Sequence, residues 1–489
     1  MLFNSLDFAI FFPIVFVLYW LVSSNLRLRN ILVLASSYVF YGWWDWRFLF
    51  LIAISSMVDF YVGQKLYKEN NVKKRKRLLL ISLIINLGFL AYFKYTNFFI
   101  DTFVDSFRLF GKELEITSIY IILPVGISFY TFQTLSYTID IYRKQLKPTK
   151  DWLSFFAFVA FFPQLVAGPI ERASHLLPQF YKTYKFNYNQ VKSGLLLIAF
   201  GLFKKMVIAD RAALYVNEVY NNPGSYEGIE TIIATVLFAF QIYCDFSGYS
   251  DIAIGAARTM GFDLMKNFDS PYLSKSITEF WRRWHISLST WFRDYVYIPL
   301  GGSRNGKYRT YYNLFIVFLV SGLWHGAAMT FVMWGVIHGV IIVIEKIISK
   351  RKEKVFSLLN IDKSTLSIKL IFIMITFTIV CFAWVFFRAN SFADSIIIIE
   401  GFFTYNFYEL FGEKLYLIGL KENEFTLLIL SILSLTYIES FHRKQSILSL
   451  LNKQPIFFRW IVYLGIAVFI TIFGVYGSEI SSEFIYFQF

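Results

Sequence analysis

The stretch KLIFIMITFTIVCFAWVFFR, residues 369–388, has a cation at each end and no charged side chain between them. A helix of about twenty apolar residues is long enough to cross ~30 Å of hydrocarbon. Runs of similar length recur along the chain, and alternating segments of about ten residues, typical of a membrane β-barrel, do not. We therefore predict an all-α polytopic membrane protein with roughly ten to thirteen crossings. The predicted spans are 8–22, 30–46, 47–66, 78–95, 118–140, 192–209, 230–252, 311–325, 328–345, 369–388, 424–440 and 459–476.

The composition agrees with this fold class. Hydrophobic residues make up 57% of the chain and charged residues 16%, whereas about a quarter of a soluble domain is charged. The net charge of +14 comes from short basic loops between apolar runs. This pattern places the loops on the cytoplasmic side and does not indicate a nucleic-acid site. These loops are 67–77, 142–150, 301–310, 345–354 and 441–445.

The two cysteines and the termini exclude several other classes. Cys244 and Cys381 both lie in apolar stretches, so we expect no disulfide framework and no thiolate metal site. We also expect no bound metal and no permanently bound cofactor. The N-terminal segment has no basic region before its apolar run, which predicts an uncleaved first span with an external N-terminus. No repeat or linker divides the chain. We predict one transmembrane domain over 1–476, with a catalytic core at about 118–345, followed by an extracytoplasmic aromatic tail over 477–489.

Two stretches are irregular for membrane helices. FFPQLVAGPIER, residues 161–172, contains two prolines and a glycine, which break a regular span. It is either a loop at the membrane interface or a re-entrant segment that lines a cavity. In TEFWRRWHISLSTWFRDYVYIPLGG, residues 278–302, Trp281, Trp284 and Trp291 recur at helical spacing among charged residues. This spacing predicts an amphipathic helix lying at the interface with its tryptophans at headgroup level.

The chain has only five histidines, and two of them are candidates for catalysis. His285 and His325 each follow a tryptophan in or beside an apolar segment. Imidazole is the usual general base near neutral pH, although a buried histidine is also able to act as a proton relay or a packed polar contact. We expect His338 to be hydrogen-bonded within the helix bundle. His175 and His442 are predicted to be loop residues with no assigned role.

The stretch GGSRNGKY, residues 301–308, nearly fits the phosphate-binding pattern G-x-x-x-x-G-K-[ST]. Tyr308 stands where a Ser or Thr is needed for magnesium, and no strand precedes the turn, so we reject a nucleotide triphosphatase. Arg304 and Lys307 in this basic, glycine-rich turn remain candidates for binding the phosphates of a soluble donor. The alternative is a plain loop.

Five stretches together resemble the membrane-bound O-acyltransferase (MBOAT) family, and within it the bacterial alginate O-acetylation branch. The resemblance implies a ring of tilted helices, with re-entrant and interfacial helices, around a thinned centre and a central tunnel. It also implies that His325 is the essential histidine and that His285 is the second histidine of the active site. The stretches are SSYVFYGWWDWRFLFLI (36–52), FFPQLVAGPIER (161–172), CDFSGYSDIAIG (244–255), FWRRWHISLSTWFRDYVYIPLGG (280–302) and SGLWHGAAMTFVMWGVIHG (321–339).

The resemblance implies an O-acetyltransferase in the bacterial cytoplasmic membrane. It would move an acetyl group from cytoplasmic acetyl-CoA toward hydroxyls of an extracytoplasmic polysaccharide such as alginate, peptidoglycan or an exopolysaccharide. An extracytoplasmic partner of the SGNH-hydrolase type would complete the transfer. One alternative is transfer of D-alanyl or another acyl group from a carrier protein. A second is a polysaccharide transporter or flippase, which the lack of repeats and of paired acidic residues deep in spans disfavours.

The tail GSEISSEFIYFQF, residues 477–489, has two glutamates and no cation, so we place it and the C-terminus outside the cytoplasm. Its aromatic residues either anchor it at headgroup depth or fold it back into the outer mouth of the tunnel. The pattern Phe484-x-Tyr486-x-x-Phe489 resembles the C-terminal motif of a small membrane protein that accompanies teichoic acid D-alanylation. We favour the second interpretation, in which Tyr486 is a transient acyl carrier and Phe484 and Phe489 dock the tail.

Overall fold

The structure is a computed structural model that describes residues 1–109, 111–112, 114, 119, 121–166, 168–404, 413–442, 447–477 and 484–485. Helices dominate these ranges, and no β-strand occurs within them. The predicted all-α fold class is therefore confirmed.

The helices of the first half of the chain are α1 (Leu6–Val22), α2 (Leu26–Asp45), α3 (Leu49–Lys68), α4 (Val72–Leu90), α5 (Thr96–Leu109), α6 (Ile127–Tyr142), α7 (Trp152–Ala160), α8 (Phe162–Leu165), α9 (Ala173–Leu176), α10 (Tyr188–Leu202), α11 (Asp210–Asn221) and α12 (Ile229–Thr259). Those of the second half are α13 (Ile277–Arg283), α14 (Ile286–Phe292), α15 (Gly306–His325), α16 (Met329–Leu358), α17 (Leu366–Arg388), α18 (Phe392–Gly401), α19 (Glu422–His442), α20 (Ile447–Asn452) and α21 (Ile456–Phe473).

The fold forms two compact units. The first comprises Met1–Ile198 with Ser250–Met265, and the second comprises Ala199–Tyr249 with Lys266–Phe489. Helices α10 and α12 each contribute residues to both units.

In the first unit, the described residues of the irregular stretch 161–172 are buried. Pro163 lies in the first turn of the short helix α8, where its missing N–H costs no hydrogen bond. Phe161, Phe162, Gln164 and Leu165 are at most 2% exposed, and Glu171 is fully buried. This broken backbone therefore lies inside protein, the condition under which irregular structure is tolerated at membrane depth.

Seven helices or continuous helical runs within the described residues are long and apolar enough to cross a membrane. One of them, Leu26–Lys68, is 43 residues long and contains both α2 and α3, which correspond to two predicted spans. The protein is therefore a multi-pass membrane protein, and the number of crossings stays a prediction. The other six runs are Val72–Arg108, Ile229–Thr259, Met329–Ser349, Leu366–Arg388, Glu422–His442 and Ile456–Phe473.

The prediction of a single interfacial helix over 278–302 is wrong. The stretch forms α13 and α14, which are separated at Trp284 and His285, followed by a wider helical turn over Arg293–Tyr297. The break is stabilised by a neighbouring extended segment. The N–H of Asp269 donates to Arg283 O at 2.9 Å, and that of Ile286 donates to Asn267 O at 2.9 Å.

The aromatic face of this stretch is covered by protein and not exposed on the surface. Trp281, Trp284 and Trp291 are 7%, 1% and 6% exposed. Trp284 lies between Phe280 and Trp384, with ring centroids 5.5 and 5.1 Å away. An aromatic stripe at helical spacing predicts an apolar face, but it does not say whether lipid or protein covers that face.

Candidate active site

His325 is the last residue of α15, and small residues around it set the position of its backbone. A Cβ added at Gly322 would lie 2.4 Å from the carbonyl oxygen of Phe331, and one added at Gly335 would lie 2.5 Å from that of Phe318. Only glycine therefore allows α15 and α16 to approach this closely, as small residues do between membrane helices. In the Trp-His-Gly motif, a Cβ at Gly326 would lie 2.1 Å from the ring of Phe331.

The imidazole of His325 is enclosed by aromatic rings. Its centroid lies 4.9 Å from that of Trp324, 5.0 Å from that of Trp334 and 5.4 Å from that of Phe387. The residue is 3% exposed. Such an environment holds the imidazole in one orientation and excludes bulk water, which strengthens any polar interaction that it makes with a reacting group.

His285 occupies the break between α13 and α14. Its backbone is left-handed, with φ 44° and ψ 55°, a conformation that histidine adopts more readily than most residues. The side chain is fully buried, and its ring makes an edge-on contact with Phe246 at 4.6 Å. His285 lies outside the seven candidate spans, and burial lowers its pKa to about 3. The imidazole is therefore neutral at physiological pH.

Asn267 determines which nitrogen of His285 carries the proton. Its Oδ1 lies 3.1 Å from His285 Nδ1 and accepts hydrogen bonds from Ser287 Oγ at 2.9 Å and Ser287 N at 3.3 Å. An amide oxygen only accepts hydrogen bonds, so Nδ1 of His285 must donate. In the neutral ring, Nε2 then carries the lone pair and is the atom that can accept a proton from a hydroxyl.

The two predicted catalytic histidines both contact one indole. The ring of Trp324 has its centroid 6.2 Å from that of His285 and 4.9 Å from that of His325. All three residues belong to the second unit. The structure therefore brings together two histidines that are forty residues apart in the sequence.

The described part of the C-terminal tail contacts α12, which also contacts His285. Phe484 is fully buried, and its ring centroid lies 4.4 Å from that of Tyr249 and 6.0 Å from that of Phe246. Phe246 is also the residue against which His285 packs. Tyr486 and Phe489, the predicted carrier and the second docking residue, lie outside the described residues.

Arg304 and Lys307 are exposed at the turn before and at the start of α15. Gly301, Gly302 and Gly306 give this turn three positive φ angles. His325 ends the same helix of 20 residues, so it lies about 30 Å away along the axis at about 1.5 Å per residue. The two cations are therefore distant from the histidines.

The remaining histidines differ in their surroundings. His338 is buried in α16 and accepts a hydrogen bond at Nδ1 from Trp281 Nε1 at 3.2 Å. His442 is exposed at the end of α19. His175, in the first unit, lies on the short helix α9, not in a loop, and pairs with the buried Glu171 at 2.8 Å. This pairing raises the pKa of His175.

Two features escaped the sequence analysis. One is Asn267, which is 18 positions before His285. The other is a buried ion cluster of Lys205, Asp210 and Asp245, in which the ammonium lies 2.8 Å from an oxygen of each carboxylate. We expected no paired acidic residues deep in spans; of these two carboxylates, Asp245 lies within the candidate span α12, and Asp210 lies outside the seven candidate spans.

Comparison with known proteins decides the family. The sequence model of the membrane-bound O-acyltransferase family matches residues 143–388. The chain is 41% identical over 393 residues to the probable alginate O-acetylase AlgI of Pseudomonas syringae pv. tomato, covering 80% of this chain and 73% of that protein. It is 33% identical over 431 residues to the peptidoglycan O-acetyltransferase of Helicobacter pylori, with 82% and 79% covered.

A more distant similarity is to the teichoic acid D-alanyltransferase of Bacillus subtilis, at 28% identity over 281 residues, covering 55% of this chain and 69% of that protein. The family match contains both candidate histidines and reaches the end of α17. This chain belongs to the membrane-bound O-acyltransferase family and is an acyltransferase.

Proposed function

We propose that this protein transfers an acetyl group from cytoplasmic acetyl-CoA toward hydroxyls of an extracytoplasmic polysaccharide. The observation that carries the proposal is the pair of buried histidines, His285 and His325, which both contact the ring of Trp324. Its relatives include proteins named for O-acetylation of alginate and of peptidoglycan. Transfer from a thioester to a hydroxyl needs a base for the hydroxyl proton, and neutral imidazole is suited to that role.

In the reaction that we propose, the acceptor is the hydroxyl of Tyr486. His325 removes its proton as the oxygen attacks the thioester carbonyl, and His285, through Nε2, orients the hydroxyl. A carbon–oxygen bond forms, the carbon–sulfur bond breaks, and the departing thiolate takes the proton back from His325. The products are an acetyl ester on Tyr486 and free CoA. A positioned base of this kind contributes about 10²–10⁴-fold in rate.

The second half of the reaction takes place outside the cytoplasm. We propose that the tail presents the acetyl ester to an SGNH-hydrolase-type partner in the bacterial cell envelope, which passes the group to the polysaccharide. This orientation fits the basic loops, which favour the cytoplasmic side, and a tail with glutamates and no cation. Both termini are then extracytoplasmic. Arg304 and Lys307 are proposed as an outer docking point for the donor phosphates, away from the reaction itself.

The donor and the first step are tested together with purified protein in proteoliposomes. Labelled acetyl-CoA should lose its acetyl group in the presence of wild-type protein, and His325→Ala should reduce the rate by at least about a hundredfold. His442→Gln is the matched control, because that histidine is exposed at the end of α19. An active and folded His325→Ala protein would show that the reaction does not need this base.

The same preparation separates the alternative functions. A D-alanyl carrier protein that donates its acyl group, while acetyl-CoA does not, would favour the chemistry named for the Bacillus subtilis relative. Proton-coupled uptake of a polysaccharide intermediate without loss of a thioester would favour a transporter.

The carrier role of Tyr486 has its own test. Tyr486→Phe keeps the aromatic ring, and with it any anchoring at the membrane, but removes the nucleophilic hydroxyl. We expect this variant to dock its tail normally and to acetylate no polymer in cells. Acetylation at the wild-type level would reduce the tail to an anchor and would leave the proposal for the histidines intact.

A further inference from the structure

The sequence CDFSGYS, residues 244–250, contains side chains that the proposed reaction does not use. Asp245 is one of them. It is 2% exposed in the middle of α12, where an isolated carboxylate would be costly to bury. Its Oδ1 lies 2.8 Å from Lys205 Nζ, which lies 2.8 Å from Asp210 Oδ1. We refer to Lys205, Asp210 and Asp245 as the Lys205 cluster.

The local sequence explains how the Lys205 cluster forms. A Cβ at Gly248 would lie 2.8 Å from the carbonyl oxygen of Gly201 and 3.2 Å from Lys205 N, so glycine is needed for α12 to approach this segment. The segment Phe203–Ala209 is wound more widely than an α-helix, a distortion that is common at functional sites. Together these features bring Lys205 and Asp245 within contact distance.

The second oxygen of Asp245 binds the C-terminal tail. The backbone N–H of Ile485 donates to Asp245 Oδ2 at 2.7 Å, and Ile485 is 2% exposed. One turn further along α12, Tyr249 lies between two partners. Its ring centroid is 5.6 Å from Lys205 Nζ and 4.4 Å from the centroid of Phe484.

The neighbouring Phe246 connects this docking site to the histidines. Its ring centroid lies 6.0 Å from that of Phe484 and 4.6 Å from that of His285. Three side chains of α12 thus contact the tail through a main-chain hydrogen bond and two ring contacts. A hydrogen bond to a buried carboxylate is stronger than one between neutral groups. The donor to Asp245 is the backbone N–H of residue 485, so the bond does not depend on which side chain residue 485 carries.

We propose that Asp245, held in place by Lys205 and Asp210, is a positioning residue that docks the C-terminal tail on α12 and fixes the position of residue 485. This inference rests on the proposed function in one respect, because a docked residue 485 matters for catalysis only if Tyr486, the next residue and ~3.8 Å further along the chain, carries the acyl group.

Cysteine labelling measures docking of the tail and does not require acyl transfer. Ile485→Cys keeps the backbone N–H and Phe484, and the two native cysteines, both buried, are replaced by alanine. We expect a polar maleimide to label residue 485 slowly in this protein and at least about tenfold faster when Asp245→Asn is added. Asp251→Asn, on the same helix outside the Lys205 cluster, is the matched control and should leave labelling slow. Equal labelling rates with and without the Asp245→Asn substitution would overturn the inference.

A second pair of variants changes only the tail, so the helices fold regardless. Ile485→Pro removes the N–H that donates to Asp245, and Ile485→Val keeps it. We expect Ile485→Pro to lower acetylation of polymer at least tenfold and Ile485→Val to stay within about twofold. Equal activity of the two would contradict the positioning role. If labelling shows docking but Tyr486→Phe is fully active, the carrier proposal fails and the docking site stands.

Discussion

The hydrogen bond between Asn267 and His285 predicts how much a substitution at Asn267 slows the reaction. Asn267→Ala removes the acceptor of His285 Nδ1 at 3.1 Å and of Ser287 Oγ at 2.9 Å. Leaving a buried donor without an acceptor costs about 1–3 kcal/mol. If this cost raises the activation free energy by the same amount, the rate falls by about ten- to a hundredfold, since each 1.36 kcal/mol changes the rate tenfold.

The assay is steady-state transfer from acetyl-CoA in proteoliposomes supplied with the extracytoplasmic partner and its polysaccharide, which free Tyr486 for each turnover. We expect Asn267→Ala to lower kcat with little change in KM for the donor, because His285 acts on the acceptor hydroxyl. Asn267→Asp keeps an acceptor for Nδ1–H and should restore part of the rate. Ser287→Ala, which removes another donor from the same oxygen, serves as the control and should be nearly as active as the wild type.

A double variant separates positioning from general damage. If Asn267 acts through His285, adding Asn267→Ala to His285→Ala should change the rate by no more than about twofold, since coupled residues are not additive. Effects that multiply in the double variant, or a folded Asn267→Ala protein with the wild-type kcat, would refute the reasoning.

Three further predictions concern other residues. Gly326→Ala should destabilise the protein by about 1–3 kcal/mol through overlap with the ring of Phe331, and Phe331→Leu should partly restore its thermal stability. Arg304→Glu with Lys307→Glu should raise KM for acetyl-CoA a few-fold and leave kcat unchanged; an unchanged KM would make the turn a plain loop. Since the carboxylate partner raises the pKa of His175, the pair stabilises the fold below about pH 6.5 and loses this effect as pH rises through the raised pKa. The melting temperature of the wild type minus that of His175→Gln should therefore fall as the pH rises above about 6.5.

The sequence predicted what depends on composition and on short local patterns. Apolar runs identified the fold class, and the Trp-His-Gly context singled out His325 because a histidine beside tryptophan in an apolar run is unusual. The extended stretch 280–302 likewise singled out His285. The chemistry of a residue and its place in an apolar segment are both local properties.

What could not be predicted depends on pairing between distant segments. The left-handed turn at His285 exists because residues 267–269 take up the hydrogen bonds of the broken helix, and periodicity contains no information about such a partner. Lys205 and Asp245 are forty positions apart in the sequence. Their ion pair escaped the sequence analysis because pairing is a property of helix packing and not of sequence spacing.

The central claim is that an acyl group passes from a thioester to a hydroxyl of the tail at His325. The most direct measurement mixes purified protein with labelled acetyl-CoA, stops the reaction early and maps the label by mass spectrometry of the C-terminal peptide. The account predicts an ester-linked acetyl group on Tyr486 in the wild-type protein and none in His325→Ala. A wild-type tail that never carries acetyl while polymer is acetylated, or a His325→Ala tail acetylated at the wild-type rate, would contradict it.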